Sequence, residues 1–193
     1  MSAEPPGKNQ ERPVTARVFF ALHPPETVAT ALAEVARRTA ERQGGRPTRG
    51  DTIHLTLAFL GDIPVAELPR LQAVGDRVRG ALFSLRIDRL DYWRHKRLLW
   101  AGPSEVPRCL RDLHKQLLAA LAESGFRGDL KGGEFTPHIT LVRHVSLENP
   151  DLTGLGGDPT WPLDWPCSSF ALLRSELSSA GPNYTLLRTF TLA

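Results

Sequence analysis

His54-Leu55-Thr56-Leu57, set in the run Ile53 to Gly61, is answered later in the chain by His138-Ile139-Thr140-Leu141, set between Phe135 and Val145. Both segments read H-x-T-L with apolar neighbours, and each lies in its own half of the chain. Both are rich in apolar and β-branched residues and close on turn signals, so both are expected to be strands. Side chains alternate across a strand, so a His and a Thr two apart share a face. Strict alternation groups His54, Thr56 and Ala58 against Leu55, Leu57 and Phe59. In the second copy it groups His138, Thr140 and Val142 against Ile139 and Leu141. Each strand then gives one face to a core and offers an imidazole and a hydroxyl on the other.

A single such strand has an ordinary explanation, a half-buried strand with a solvated face. Two copies change the chemistry available. Of two imidazoles brought together, one can remove a proton while the other donates one. Histidine suits both roles because its unperturbed pKa is close to neutrality. The hydroxyls of Thr56 and Thr140 add donors that can hold an anionic oxygen between the rings.

Outward from these strands, residues 17–23 (RVFFALH) form a compact apolar strand ended by Pro24-Pro25. A helix is expected over 26–43, with Val28, Leu32 and Val35 at helical spacing and Gly44-Gly45 as its stop. A basic loop, 46–51, leads into the first His strand. A second helix is expected over 64–80, with Pro69 near its start. Residues 82–93 alternate as one strand, turn at 94–96 and return over 97–102 as a hairpin. Residues 103–124 carry the clearest helical stripe: Val106, Leu110, Leu113, Leu117, Leu118 and Leu121. A glycine-rich loop over 128–134 precedes the second His strand, and 146–166 is loop-like. Strands over 168–177 and 184–192, joined by a turn containing Gly181-Pro182, end the chain.

Similar pieces recur in the two halves. The expected fold class is α+β: two lobes related by pseudo-symmetry, mostly antiparallel sheets flanking a central cleft, and helices outside. Residues 1–15 read as a disordered tail and 16–193 as one two-lobed domain. The chain has 193 residues, 41% of them hydrophobic and 23% charged, with a formal charge of +3, ordinary values for a soluble globular protein. Mild basicity permits an anionic partner without showing one. No apolar run is long enough to span a membrane, and the polar, proline-rich start lacks a signal-peptide core. Cys109 and Cys167 suit neither a disulfide framework nor a cysteine zinc site. A cytoplasmic location and a monomer are expected.

The quoted segments resemble the 2H phosphoesterase superfamily. The pair HLTLAFLG and HITLVR is closest to its bacterial and archaeal RNA 2′,3′-cyclic phosphodiesterases, also called 2′-5′ RNA ligases. RVFFAL near the start, LLWAG after the hairpin, the lead-in Phe135-Thr136-Pro137-His138 and the ending SELSSAGPNYTLL agree with this. The resemblance runs from about 17 to 192. It implies metal-independent opening of an RNA 2′,3′-cyclic phosphate to a 2′-phosphate, with no cofactor. It further implies His54 as proton donor, His138 as proton acceptor, and Thr56 and Thr140 as phosphate-binding groups. Run backwards, such a site joins a cyclic-phosphate end to a 5′-hydroxyl. Arg143 matches the arginine that ends the family motif and is a candidate phosphate or base contact. Parity puts it opposite His138, so it reaches the cleft only where the strand ends or bulges. Phe59 is a candidate base platform with the same parity problem, which favours a core role.

His23, His95, His114 and His144 carry no motif and are expected to be surface or satisfied residues. Trp93 and Trp100 are expected in the core, although an exposed one could stack a base. Arg37, Arg38, Arg42, Arg46 and Arg49 form a basic stretch that is either a solvated helix end or an RNA-backbone contact. Alternatives to RNA-end hydrolysis are a hydrolase of a small nucleotide and a nucleotide-binding module without turnover. A metallohydrolase lacks its motifs, because no H-x-H, H-E-x-x-H or carboxylate-rich segment occurs.

Overall fold

The computed structural model describes residues 13–126, 135–146, 150, 152, 161–179 and 181–193. Expectations for 1–12, for 128–134 and for most of the 146–166 loop lie outside these residues. Strand β1 is Thr15–Leu22, so Thr15, expected in the tail, already pairs with Pro64. Helix α1 is Glu26–Gln43 and buries Val28, Leu32, Val35 and Ala36. It ends at Gly44 with φ 70°, a left-handed position that glycine takes without Cβ strain. The two-residue strand β2 is Arg46–Pro47, and a short 3₁₀ turn, Gly50–Thr52, leads to β3, Leu55–Pro64. Helix α2, Leu68–Arg77, starts after a 3₁₀ turn and has its proline in the first turn, where the missing N–H costs nothing.

Strands β4 (Phe83–Ile87) and β5 (Arg89–Trp93) replace the single strand expected over 82–93. The break is at Asp88, whose carboxylate accepts hydrogen bonds from the Ser104 backbone N–H at 2.6 Å and from its hydroxyl at 2.8 Å. Beyond the break, β5 pairs with β6, Leu98–Gly102, as the expected hairpin. Strand β4 instead pairs with β8, Leu163–Cys167, in a separate two-stranded sheet. β8 falls inside the expected loop. Its alternation of buried Leu163, Trp165 and Cys167 with exposed Asp164 and Pro166 is a strand pattern, and its proline is tolerated because so small a sheet has only edges. Helix α3 is Arg108–Glu123, with Leu110, Leu113, Leu117 and Leu121 buried. β7 is Ile139–Arg143, β9 Ser169–Ser178 and β10 Gly181–Thr191.

The main sheet runs β10-β9-β1-β3-β7-β6-β5, with β2 added beside β7. Every pairing in it is antiparallel. The fold is therefore α+β, and its two lobes meet where β3 pairs with β7 through Leu55 and Ile139 alone. One face of the sheet carries the main core: Val18, Phe20 and Leu22 of β1, Leu55 of β3 and Ile139 of β7 pack there with the buried stripes of all three helices. On the opposite face lies a smaller cluster of Phe19, Ala21, Ala171 and Leu173, with Phe59 and Tyr184 at its margin. Among the described residues, no helix packs into that cluster.

Both His strands break strict alternation at the same place. Along β1, Ala21 pairs with Thr56 and Phe20 with Ala58, so Leu57 is an extra residue in β3. Along β6, Trp100 pairs with Thr140 and Leu99 with Val142, so Leu141 is an extra residue in β7. A bulge of one residue inverts the side-chain parity beyond it. Ala58 and Val142, expected on the histidine faces, are consequently buried in the main core. Phe59, expected opposite His54, joins the cluster on the open face.

Candidate active site

The single bridge between lobes sets the site. His54 and His138 each stand one residue before it, at the entries of β3 and β7. Extending the antiparallel register one residue either way from Leu55–Ile139 puts His54 beside Thr140 and Thr56 beside His138. All four then share one face, so the imidazoles and hydroxyls alternate around the bridge. Thr56 and Thr140 are both half-buried.

Each ring is held in the same way. His54 Nδ1 lies 2.7 Å from the Thr52 carbonyl oxygen, and His138 Nδ1 lies 3.0 Å from that of Thr136. A carbonyl only accepts, so each Nδ1 carries a proton and donates it. That fixes the tautomer and leaves both Nε2 atoms as the exchanging nitrogens.

Aromatic rings back both imidazoles. His54 sits 4.9 Å from Phe19 and 5.1 Å, edge-on, from Tyr184. His138 sits 4.5 Å from Trp93 and 6.3 Å from Trp100. The surroundings shift the titrations. Burial pushes His54 down to about 4, against the opposing pull of its Thr52 carbonyl bond, and the nearby charges of His23, Arg143 and His138 lower it further. His138 is also lowered, first by burial and then by Lys96 and Arg143, while its Thr136 bond works the other way. Both rings are therefore mainly neutral at neutral pH in the free protein. An anion placed between them would restore a proton.

The Leu141 bulge turns Arg143 into the cleft. Arg143 lines a pocket with His54, Thr140 and Tyr184, and no carboxylate pairs with it among the described residues. The basic stretch divides. Arg37 is bonded to Glu34 and Glu41, and Arg38 reaches Glu34 at 3.3 Å, so these are a surface ion-pair cluster. Arg46 and Arg49 line the pocket instead. Arg49 is bonded to Asp51 and, at 2.9 Å, to Asn183 Oδ1, which ties the wall beside His54 to the start of β10. The lining thus gathers three arginines, Arg46, Arg49 and Arg143, with the His54 imidazole and the Thr140 hydroxyl.

Of the remaining histidines, His95 and His23 are exposed, and His114 stacks on Phe135 at 3.7 Å. His144 is exposed but lines the pocket wall with φ 55°. Trp100 is buried as expected, whereas Trp93 is half-buried against His138. Lys96 covers the Trp93 ring, its Nζ 4.4 Å from the centroid. Phe59 receives Arg17 at 4.8 Å instead of an open approach. Sequence reasoning did not single out Tyr184 or Phe19. Their signal was membership in the quoted pieces RVFFAL and SELSSAGPNYTLL. Among the described residues no three His, Cys, Asp or Glu side chains converge as a metal site. No helix among them is long and apolar enough to cross a membrane.

Comparison with known proteins places this geometry. A family described as LigT like Phosphoesterase matches residues 22–100. The RNA 2′,3′-cyclic phosphodiesterase of Thermus thermophilus is 34% identical over 186 residues, covering 91% of this chain and 90% of that one. The protein of the same name from Escherichia coli K12 is 30% identical, covering 91% and 96%. The crystal structure of E. coli LigT complexed with 3′-AMP superposes with a TM-score of 0.80 at 28% identity, covering 93% of this chain and 99% of that one.

Proposed function

The chain belongs to the LigT-like phosphoesterase family, and from that premise we propose that it is an RNA 2′,3′-cyclic phosphodiesterase, opening cyclic phosphate ends of RNA to 2′-phosphomonoesters. The observation that carries the reading is the paired arrangement about Leu55–Ile139: two imidazoles, each with Nδ1 tied to a carbonyl and Nε2 free, interleaved with two hydroxyls.

Water attacks phosphorus and gives a proton to His138 Nε2 as the new P–O bond forms. The P–O3′ bond breaks, and His54 Nε2 delivers its proton to O3′. The products are a 2′-phosphate and a free 3′-hydroxyl. Thr56 and Thr140 donate to the non-bridging oxygens, and Arg143 balances their charge. Positioning and charge stabilisation are most of what phosphoryl transfer asks of a protein. The low affinity of free His54 for protons is compatible with its role as acid. The phosphate anion brings the missing negative charge, so substrate and proton bind together. The reverse reaction exchanges the two roles and joins a cyclic-phosphate end to a 5′-hydroxyl. Phe59 serves best as packing beneath this site.

His54, Thr56, His138, Thr140 and Arg143 belong to one chain, so the proposed site is complete without a second copy, and the enzyme is proposed as a monomer. Residues 16–193 are read as one two-lobed domain. Cys109 and Cys167 are both free, in keeping with a reducing, cytoplasmic setting.

The test is product analysis of an oligonucleotide ending in a 2′,3′-cyclic phosphate, with EDTA present. Wild type should give only the 2′-phosphate. His54→Ala and His138→Ala should each lose about 10²–10⁴-fold in rate with unchanged far-UV circular dichroism. Near-wild-type turnover by either variant would remove the two-histidine mechanism. Binding by wild type with no product would make the chain a nucleotide-binding module.

A further inference from the structure

The open face of the sheet extends past the pocket beside His54. It continues over β9 and β10, on the His54 side, into a second recess of about 330 Å³. The pocket holding His54, Thr140 and Arg143 is small by comparison, about 70 Å³, enough for a phosphate group but well short of an ordinary organic ligand site. Tyr184 belongs to the walls of both and stands between them. The floor of the recess is apolar: Ala171 and Leu173 from β9 and Leu186 from β10. Leu186 is 59% exposed, a large apolar side chain spent on solvent unless something covers it. The rim is polar, with Ser169 and Thr189 hydroxyls and His23.

We propose that this recess binds the base of the penultimate nucleotide, the one 5′ to the nucleotide that carries the cyclic phosphate, so that the enzyme recognises an RNA strand of at least two nucleotides. The inference rests on the function proposed above, which puts O3′, and therefore the terminal ribose, on the His54 side of the phosphorus. That nucleoside is tethered to the phosphate through both oxygens and must lie alongside Tyr184. A strand continuing from its 5′ oxygen passes Tyr184 and meets the recess. The lining fits a base more closely than a phosphate. The arginines are gathered in the first pocket, and the carboxylate of the second, Asp51, is already bonded to Arg49. An apolar floor with hydroxyls at the rim accepts the flat face of a heteroaromatic ring and the polar edge around it. In the other lobe the Trp93 ring packs against the His138 imidazole, and Lys96 covers Trp93 in turn. The two lobes thus repeat the chemistry but differ in what they hold.

Binding tests this without turnover. The affinity of wild type for a dinucleotide ending in a 2′-phosphate is compared by calorimetry with that for the corresponding mononucleotide, and with a dinucleotide whose 5′ residue is abasic. The dinucleotide should bind about tenfold tighter or more, and the abasic one should behave as the mononucleotide. Thr189→Trp, which fills the recess from an exposed position, should erase the preference and leave mononucleotide affinity unchanged. Leu186→Ser, which makes the floor polar, should reduce the preference as well. Equal affinities in wild type, or a preference that survives both substitutions, would overturn the proposal. Failure of the hydrolysis assay would overturn the proposed reaction while these affinities still decide the subsite.

Discussion

His54 and His138 are tied back by the same contact, Nδ1 to the carbonyl two residues earlier, yet the proposed mechanism gives each a different part in one proton transfer. The neighbours make the difference. His54 is pushed down to about 4 mainly by burial, and His138 is lowered as well, so the free site is poor in protons and rich in arginine charge. Anion binding should therefore carry a proton in. Sulfate, which does not titrate near neutrality, should bind more tightly at pH 6 than at pH 8. Calorimetry in buffers of different ionisation enthalpy should show proton uptake that His54→Ala removes. Binding with no uptake at either pH would mean that His54 is not recharged by the anion. Turnover should then show a bell-shaped dependence on pH, since the proposed mechanism needs one ring charged and the other neutral; a flat profile from about pH 5 to 8 would count against it.

The elements place these residues through two small irregularities. The extra residues Leu57 and Leu141 follow the two H-x-T motifs at the same position. They bury Ala58 and Val142, and they turn Phe59 and Arg143 to the open face. Phe59 and Arg143 are thus equivalent positions in the two lobes. One became packing and the other a charge. Helix α2 shows how closely the elements are fitted. A Cβ at Gly75 would stand 2.3 Å from the Phe190 ring, which is 5% exposed and stacked 4.9 Å from Phe170. Ala in place of Gly inside a helix ordinarily stabilises by about 1 kcal/mol. Here the overlap should reverse the sign, and Gly75→Ala should destabilise by about 1–3 kcal/mol in urea unfolding. A stabilised variant would mean that α2 sits less tightly on β10.

Across the whole molecule, burying neutral imidazoles has a cost in acid. The His54 pKa is about 4 in the folded chain against 6.5 unfolded. Between those values the unfolded chain binds a proton that the folded one does not, so stability falls as pH drops from about 6.5 toward 4. His138 and His114, also lowered by burial, act in the same direction. The urea midpoint of wild type should therefore drop more between pH 7.5 and 4.5 than that of His54→Asn. Parallel losses in the two proteins would show that His54 is not the source.

Much of this was legible in the chain itself. The periodic leucines of α3, the bounds of α1, the hairpin after Trp93 and the two H-x-T strands follow from local pattern, because a stripe or an alternation is set by neighbours in sequence. So does the pairing of imidazole with hydroxyl on one face, which needs only the two-residue period of a strand. The break at Asp88, the pairing of β4 with β8, and the roles of Tyr184 and Arg49 depend on partners 16 to 134 residues away, which no local pattern encodes. The bulges belong to the same class. Alternation within a strand says which side each residue faces only until the partner strand skips one, and the partner is chosen by the fold. Local pattern in the chain marks His54, Thr56, His138 and Thr140 as candidate reacting groups. Their meeting about one pairing of Leu55 with Ile139, with Arg143 turned toward them and Phe59 turned to packing, comes only from the partner strands that the fold sets beside them.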